Sequence, residues 1–215
     1  MKSLILKDLY NIGHNAKSML SILAVLAVAL IPTSGMAGYI VACANLCSMM
    51  IVTTFTFDDT SKWTRYAMIM PISKKDLVAS KFIVLLVFSA IGSVVGLIIG
   101  TVGGIITSKI AFNLTNIYEL LFLTLTAFVV AMIFGGISIP LVFKFGAERG
   151  RMLLLVSFLI PAAICFGVYQ LLSVLGIVLT EQYVLILLYC SPIIAFLWNY
   201  MMYKISYKIF SDKEL

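Results

Sequence analysis

The sequence predicts an all-α membrane protein with six transmembrane helices, and three observations support this prediction. The 215 residues are 62% hydrophobic and 11% charged, whereas an ordinary soluble domain carries about 25% charged residues. Six apolar stretches contain no Asp, Glu, Lys, Arg or His, and most of them approach the roughly 20 residues that cross a bilayer as a helix. When these stretches are drawn as spans, 14 of the 15 Lys and Arg residues fall on one side.

This charge asymmetry predicts the orientation in the membrane. Lys109 is the one basic residue on the opposite side. Because cytoplasmic loops of membrane proteins carry the excess of Lys and Arg, both termini are expected to be cytoplasmic. The net charge of +6 follows from the same bias, together with attraction to anionic membrane lipid. No nucleic-acid partner is therefore expected.

Residues 1–17 are predicted to form an interfacial helix ahead of the spans. Its apolar stripe consists of Leu4, Ile5, Leu9 and Ile12. The charged side chains expected to stay in water are those of Lys2, Lys7, Asp8 and Lys17. This pattern is typical of a helix that lies in the lipid headgroup layer.

The remaining chain is predicted to form the rest of a single transmembrane domain over residues 1–215. The six spans are residues 18–31, 36–57, 82–107, 120–143, 152–175 and 183–203. Pro32 and Gly35 predict a tight external turn between the first two spans. Two cytoplasmic loops follow: residues 58–81 precede the third span, and residues 144–151 precede the fifth.

The apolar character of the spans argues against several classes of function. Ion-coupled transporters usually need ionisable side chains within the membrane. An intramembrane enzyme needs an acid–base or metal-binding group, and the single His, His14, lies outside the spans. The sequence also lacks the G-x-x-x-x-G-K-[ST] motif of a P-loop. We therefore expect a protein that is not an enzyme and binds no cofactor, and whose driving energy comes from another polypeptide.

The cysteines do not predict a metal site. All four lie within the predicted spans: Cys43, Cys47, Cys165 and Cys190. Cys43 and Cys47 share a helix face, but no His or carboxylate lies nearby in sequence to complete a set of ligands. Free thiols in such positions behave as small hydrophobic groups.

The third span carries glycines at intervals of four residues. They are Gly92, Gly96, Gly100 and Gly104. Small residues at this spacing allow another helix to approach closely. The sequence favours a partner helix within the same subunit, with the seam of a dimer as the alternative.

The loop over residues 58–81 has the pattern of a docking element. A short helix there could be capped by Asp59, Thr60 or Ser61, and Pro71 would end it. Ser73 could cap a second helix, starting at Lys74 and continuing into the third span. A short helix rich in aromatic and basic residues suits contact with a cytosolic protein, although such a helix can also lie on lipid.

Several stretches carry a resemblance to a known family. They are Asp58-Asp59, Trp-x-x-Tyr at Trp63, Met-Pro-Ile-Ser-Lys-Lys at 70–75, Val-Ala-Ser-Lys at 78–81, Leu-Lys-Asp-Leu at 6–9 and the segment 140–151. In this order and at this predicted topology, they resemble the bacterial ABC-2 type permeases. These are the six-helix membrane subunits of small ABC exporters.

The resemblance implies an ABC-2 (type V-like) exporter fold in the bacterial plasma membrane. Two membrane subunits, either identical or related, would assemble with two cytosolic ATP-binding subunits that hold ATP and Mg²⁺. The main coupling residues would be Asp58, Asp59, Lys62, Trp63, Arg65, Tyr66, Met70 and Pro71. A second cytoplasmic contact would involve Lys144, Glu148, Arg149 and Arg151.

Within this family the chain most resembles exporters of phenol-soluble modulins and antimicrobial peptides, which implies an amphipathic peptide as substrate. Polar groups that could line its path are Asn45, Ser48, Thr53, Tyr169 and Gln170. Such a sparse polar lining suits an apolar ligand face better than a sugar or an ion. Alternatively, these groups bond to the backbone of their own helices. A different reading is a scaffold or sensor subunit that signals through residues 58–81 without transporting anything.

Overall fold

The structure is a computed structural model that describes residues 2–13, 16–70, 72–106, 114–152, 159, 161, 163–164, 166–168, 170–171 and 181–212. Its helices are α1 (Lys2–Gly13), α2 (Ala16–Thr60), α3 (Trp63–Ile69), α4 (Lys74–Ile106), α5 (Leu114–Phe145), α6 (Ala147–Met152) and α7 (Glu181–Ser211). These residues contain no strand, which confirms the all-α prediction. Predictions that concern Pro71, Lys109, Tyr169 and most of residues 152–175 lie outside the described residues.

Three helical segments within the described residues are long and apolar enough to cross a membrane. They are Lys17–Thr60, Lys74–Ile106 and Tyr118–Phe145. The first of these is not one straight rod. Gly35 interrupts α2 with a φ of 74° and a ψ of −177°, a backbone conformation that a residue without Cβ adopts readily.

The chain folds back at Gly35. The Tyr39 hydroxyl donates a hydrogen bond of 3.2 Å to the Leu23 carbonyl, 16 residues earlier, whereas a continuous helix would place these residues about 24 Å apart. The turn predicted over residues 32–35 is thus a single non-helical residue, because Pro32 stays within the helix. We call the parts of α2 before and after Gly35 its first and second arms.

The apolar stripe of α1 packs against the helical bundle. Leu4 and Ile12 are 6% and 5% exposed, and Asp8 between them is 1% exposed. Ile5 and Leu9 pack, partly buried, against the same core. The expectation that Asp8 stays in water is therefore wrong, and the stripe faces protein rather than lipid.

The two helices predicted in the loop over residues 58–81 begin in different ways. The N-cap of α4 is confirmed, since Ser73 Oγ accepts the backbone N–H of Asp76 at 3.1 Å. Before α3, Lys62 adopts a left-handed φ of 51° and no side chain caps the helix. The proposed caps belong to α2 instead, because the hydroxyls of Thr60 and Ser61 donate to carbonyls in its last turns. The prediction that Asp59, Thr60 or Ser61 caps α3 is wrong.

The glycines of α4 face the second arm of α2. A Cβ atom built at Gly92 would lie 2.5 Å from Cys47 Cβ and 3.0 Å from Ala44 Cα. At Gly96 it would lie 3.3 Å from Ile40 Cα. Backbone atoms at such distances leave no space for a side chain, so these two helices pack at the closest approach that glycine permits.

We expect Gly96→Leu to destabilise this contact by about 3 kcal/mol, the upper end of the usual cost of overpacking a core. The Ile40 backbone cannot move aside without displacing the second arm of α2. The measurement is the melting temperature of the purified protein in detergent. Val94→Leu, at a site that is 51% exposed on the same helix, serves as the control. Equal melting of the two variants would contradict the tight contact.

One end of the bundle gathers the charged segments, and we call it the charged end. The ends of α2, α5 and α7 meet there through aromatic rings: Phe143 lies 4.9 Å from Phe55 and 5.2 Å from Phe210, measured between ring centres. At the start of α4, Lys74 Nζ donates to the carbonyl of Ser211 at 3.2 Å. The short helices α3 and α6 lie at this same end.

Candidate functional site

The helix α3 presents apolar side chains to solvent at the charged end. Tyr66, Ile69 and Met70 are 58%, 84% and 46% exposed. Ala67, on the opposite face, is 1% exposed and belongs to the core. Because spacings of three and four residues bring side chains together along a helix, the three exposed groups form one surface. An exposed apolar surface of this kind suits contact with another protein or with membrane lipid.

Trp63, at the start of α3, does not share this surface. Its ring is half-buried and packs against the core, and Lys7 Nζ of α1 lies 4.7 Å from the ring centre. A cation at this distance from an indole face is held by the ring quadrupole. The predicted coupling residues therefore divide: Tyr66 and Met70 face outward, whereas Trp63 joins α3 to α1. The side chain of Arg65 is not among the described ones.

The buried side chain of Lys81 connects three helices, α1, α2 and α4, near α3. Lys81 of α4, 3% exposed, donates to Asp8 Oδ2 of α1 at 2.9 Å and to Asp58 Oδ2 of α2 at 2.6 Å. Its third hydrogen bond, at 3.1 Å, goes to Thr54 Oγ1 one turn before Asp58. The Phe55 ring centre lies 4.8 Å from the same ammonium group. The Lys81 ammonium is thus in contact with two carboxylates, a hydroxyl and an aromatic face.

Lys7 completes this arrangement, and we call Lys7, Asp8, Asp58 and Lys81 the charge cluster. Lys7 donates a hydrogen bond to Asp58 Oδ1 and lies 3.3 Å from Asp8 Oδ1. The latter approach lacks hydrogen-bond geometry, so Asp8 Oδ1 has no hydrogen-bond partner among the described residues. Two positive and two negative charges sum to zero, as burial at low dielectric requires.

This cluster was not among the predictions from the sequence. Asp58 was expected to contact a partner, but its carboxylate is turned inward and Asp58 is 6% exposed. A signal was present in α1, where Leu4, Asp8 and Ile12 follow one another at intervals of four residues. A carboxylate in the middle of an apolar helix face needs a buried cation as its partner. Sequence alone does not show which of the lysines supplies it.

The second predicted cytoplasmic contact is a helix rather than a loop. Gly146, with a φ of 82°, ends α5 and allows α6 to begin at once. Asp59 Oδ2 accepts the backbone N–H of Ala147 at 3.0 Å, so the end of α2 caps the first turn of α6. Glu148 and Arg149 of α6 are exposed, as is Lys144, whereas the Arg151 side chain is outside the description.

Two cavities lie beside the charge cluster. The first, of about 300 Å³, has Asp58 and Lys81 in its wall. Its aromatic wall consists of Phe55, Phe143 and Phe210. The second, of about 370 Å³, shares Asp59 and Gly146 with the first and extends along α6. Thr64 of α3 lines the first cavity, whereas Glu148 and Arg149 of α6 line the second.

A comparison with known protein families finds a match over almost the whole chain. A family model described as "ABC-2 family transporter protein" matches residues 3–211. The chain belongs to this family. No curated protein matches the chain, and neither does any solved structure. Family membership identifies a membrane protein of the ABC transporter permease type, and it implies an ATP-binding partner subunit.

The residues predicted to line a substrate path in this ABC-2 protein bond mainly within their own helix. Asn45 Nδ2 donates to the Val41 carbonyl at 2.8 Å, and Ser48 Oγ donates to the Asn45 carbonyl at 2.8 Å. Thr53 Oγ1 lies 4.0 Å from the sulfur of Met50. These contacts favour the alternative in which polar groups in the spans bond locally.

Other parts of the predicted path in the ABC-2 protein are sparsely described. Gln170 is exposed, and Tyr169 falls outside the described residues. Among the described residues, no three His, Cys, Asp or Glu side chains gather in a way that could hold a metal ion. The thiols of Cys43 and Cys47 are free and buried.

Proposed function

We propose that the chain is the transmembrane permease subunit of an ATP-driven ABC exporter. A separate cytosolic subunit would bind ATP and Mg²⁺, so this chain itself would be neither an enzyme nor a cofactor-binding protein. The observation that carries the proposal is the exposed surface of Tyr66, Ile69 and Met70 on α3. It lies at the charged end of a chain whose family implies an ATP-binding partner.

The position of α3 supports its assignment as the coupling helix. It stands between the end of α2 and the start of α4, two helical segments long enough to cross a membrane. Its exposed apolar face is preceded by Lys62, which is exposed, so the surface has the mixed character of a protein contact. A protein that pushes on α3 therefore acts at the junction of two spans.

The helix α6 is proposed as the second contact with the ATP-binding subunit. Its exposed Glu148 and Arg149 line the cavity that extends along α6 from the end of α2. Asp59 joins the two contacts, since it lies at the end of α2 and caps α6. Through this residue, a displacement of the loop before α3 also moves the start of α6.

We further propose six spans in the bacterial plasma membrane with both termini in the cytoplasm. The charged end holds α1, α3, α6 and the end of α7, and cytoplasmic segments of membrane proteins carry the Lys and Arg excess. The functional unit would hold two permease subunits, with a second copy of this chain as the default, and two ATP-binding subunits. A closed two-fold dimer is the commonest arrangement of identical subunits.

The orientation predicts a labelling pattern in intact cells. A cysteine placed at Lys109 is expected to react with a membrane-impermeant maleimide added outside, whereas a cysteine at Lys75 reacts only after the cells are opened. The reason is that Lys75 lies in the first turn of α4 at the charged end. Reaction at position 75 in intact cells, with protection at position 109, would overturn the topology.

The proposed substrate is an amphipathic peptide or a molecule of similar character. Support comes from the six spans predicted from the sequence, which carry no Asp, Glu, Lys, Arg or His. A sugar or an ion would lose its hydration there without adequate replacement. An amphipathic helix instead offers one apolar face to such a surface.

The deciding experiment is purification of the tagged protein in mild detergent, after expression with its genomic neighbours, followed by mass spectrometry. A stoichiometric ATP-binding protein, whose ATPase rate changes when the permease is present, would support the proposal. Recovery of the chain alone, even after chemical crosslinking through the lysines near α3, would instead favour a scaffold or sensor that works without an ATPase.

A further inference from the structure

The Lys7 side chain of α1 contacts both the end of α2 and the start of α3. The Lys7 ammonium is hydrogen-bonded to Asp58 in the last turn of α2. It also lies 4.7 Å from the centre of the Trp63 ring, in the first turn of α3. Lys7 thus contacts both helices that flank the link carrying Lys62. That link has a left-handed residue and no side-chain cap at the start of α3, and backbone hydrogen bonds from Ser61 and Lys62 join it to the last turn of α2.

The next residue of α1, Asp8, contacts the helix that follows α3. Asp8 Oδ2 accepts a hydrogen bond of 2.9 Å from Lys81, in the third turn of α4. Lys81 in turn binds Asp58 at 2.6 Å. Adjacent residues of one short helix therefore hold the elements on both sides of α3.

We propose that Lys7 and Asp8 are positioning residues through which α1 transmits the displacement of α3 to α4. The inference rests on the proposed function of α3 as the coupling helix. When a partner moves α3, Trp63 moves with it, and Lys7 follows because it is held against the ring. Lys7 and Asp8 are neighbours in the chain, so Lys81 and the start of α4 must follow as well.

Burial makes this connection stiff. Asp8 is 1% exposed and Lys81 is 3% exposed, so their attraction is little screened by water or salt. Separating either carboxylate from its ammonium would leave an unpaired charge inside the bundle. We therefore expect these groups to move together.

The test uses the complete complex with its ATP-binding subunit in lipid nanodiscs. The four native cysteines are replaced by alanine, and a reporter cysteine is introduced as Ile106→Cys. Ile106 is 78% exposed at the last residue of α4, about 48 Å along the helix from its start. Its rate of maleimide labelling, measured with and without ATP and Mg²⁺, reports movement of α4 at the far end. No transport substrate is needed.

We expect Lys7→Gln to abolish the ATP-dependent change in labelling while ATP hydrolysis persists. Lys7→Arg should retain it, because arginine keeps both the charge and the contact with the Trp63 ring. Lys2→Gln removes the same charge from an exposed position of α1 and should behave like the native protein. The melting temperature of each variant is measured in parallel.

The double variant Lys7→Gln/Asp8→Asn separates transmission from stability. It leaves Lys81 with Asp58 as a neutral pair, so the melting temperature should recover relative to Lys7→Gln alone. The ATP response should remain absent, because no charged side chain of α1 reaches α3 or α4. A double variant with the native ATP response would overturn the proposal, since charge balance alone would then be sufficient.

Tyr66→Ala in the same assay distinguishes the coupling role of α3 from the transmitting role of α1. If Tyr66→Ala abolishes the response and the double variant does not, the role of α1 is refuted and the coupling role of α3 stands. If the native complex binds ATP and its labelling never responds, the proposed function of α3 fails, and the role of α1 fails with it. Loss of the response in both Tyr66→Ala and the double variant, with native behaviour of Lys2→Gln, supports the roles of both α3 and α1.

Discussion

Lys81→Met will lower the free energy of unfolding by about 3–5 kcal/mol, the usual cost of removing one partner from a buried charge network. The substitution preserves the length and apolar stem of the side chain but leaves Asp8 and Asp58 facing each other. Lys7, 24% exposed, can compensate only one of them. The measurement is thermal melting in detergent, followed by the fluorescence of a thiol-reactive dye or by circular dichroism.

Two further variants test whether burial and charge balance cause this loss of stability. Lys75→Met removes the same charge from an exposed site in the first turn of α4 and should change stability by less than about 1 kcal/mol. Asp8→Asn combined with Lys81→Met leaves Lys7 and Asp58 as a balanced pair and should recover most of the loss. Melting of Lys81→Met no lower than that of Lys75→Met would show that the charge cluster does not hold the bundle together.

Tyr66→Ala will weaken binding of the ATP-binding subunit by about 2 kcal/mol, or roughly 30-fold in Kd, if the exposed ring is an anchor of the contact. The melting temperature should not change, because the ring is 58% exposed. Trp63→Ala should behave differently. It removes a half-buried ring from the core and should destabilise the permease itself by about 2 kcal/mol, below the cost for a fully buried aromatic.

Binding is measured by titration of the purified partner onto the permease in nanodiscs. Tyr10→Ala is the matched control, since Tyr10 is 73% exposed on α1 and lies outside the α3 surface. Unchanged affinity in Tyr66→Ala would contradict the assignment of α3. In transport assays we expect both Tyr66→Ala and Trp63→Ala to uncouple ATP hydrolysis from export, but only Trp63→Ala to do so with loss of stability.

Helix content, the start of α4 and the family were predictable from the sequence. Each depends on residues that are close together in the chain or on the order of short motifs along it. The length of each apolar stretch predicts a helix that crosses the membrane. Ser73 is an N-cap residue followed by a good helix former. The glycine spacing in α4 also predicts that another helix approaches closely. The sequence favoured a partner helix within the same subunit, and the structure identifies it as the second arm of α2.

The charge cluster and the orientation of Trp63 were not predictable, for a physical reason. Periodicity shows that one face of α1 is apolar, but lipid and protein cover an apolar face equally well. The partner of Asp8 is Lys81, 73 residues away in sequence, and no local rule connects them. Likewise, a tryptophan next to lysines in a short helix suits either an exposed anchor or an internal contact. The structure shows that it makes the internal one.

The distance along the chain between Asp8 and Lys81 has a consequence for biosynthesis. The helix α1 leaves the ribosome before α4, so the carboxylate of Asp8 lacks its partner until Lys81 has been synthesised, 73 residues later. During that interval α1 must keep Asp8 in contact with water, and its amphipathic sequence suits temporary residence at the membrane surface. We therefore expect α1 to dock only after α4 has been synthesised, and a truncated chain ending before Lys81 to leave α1 undocked.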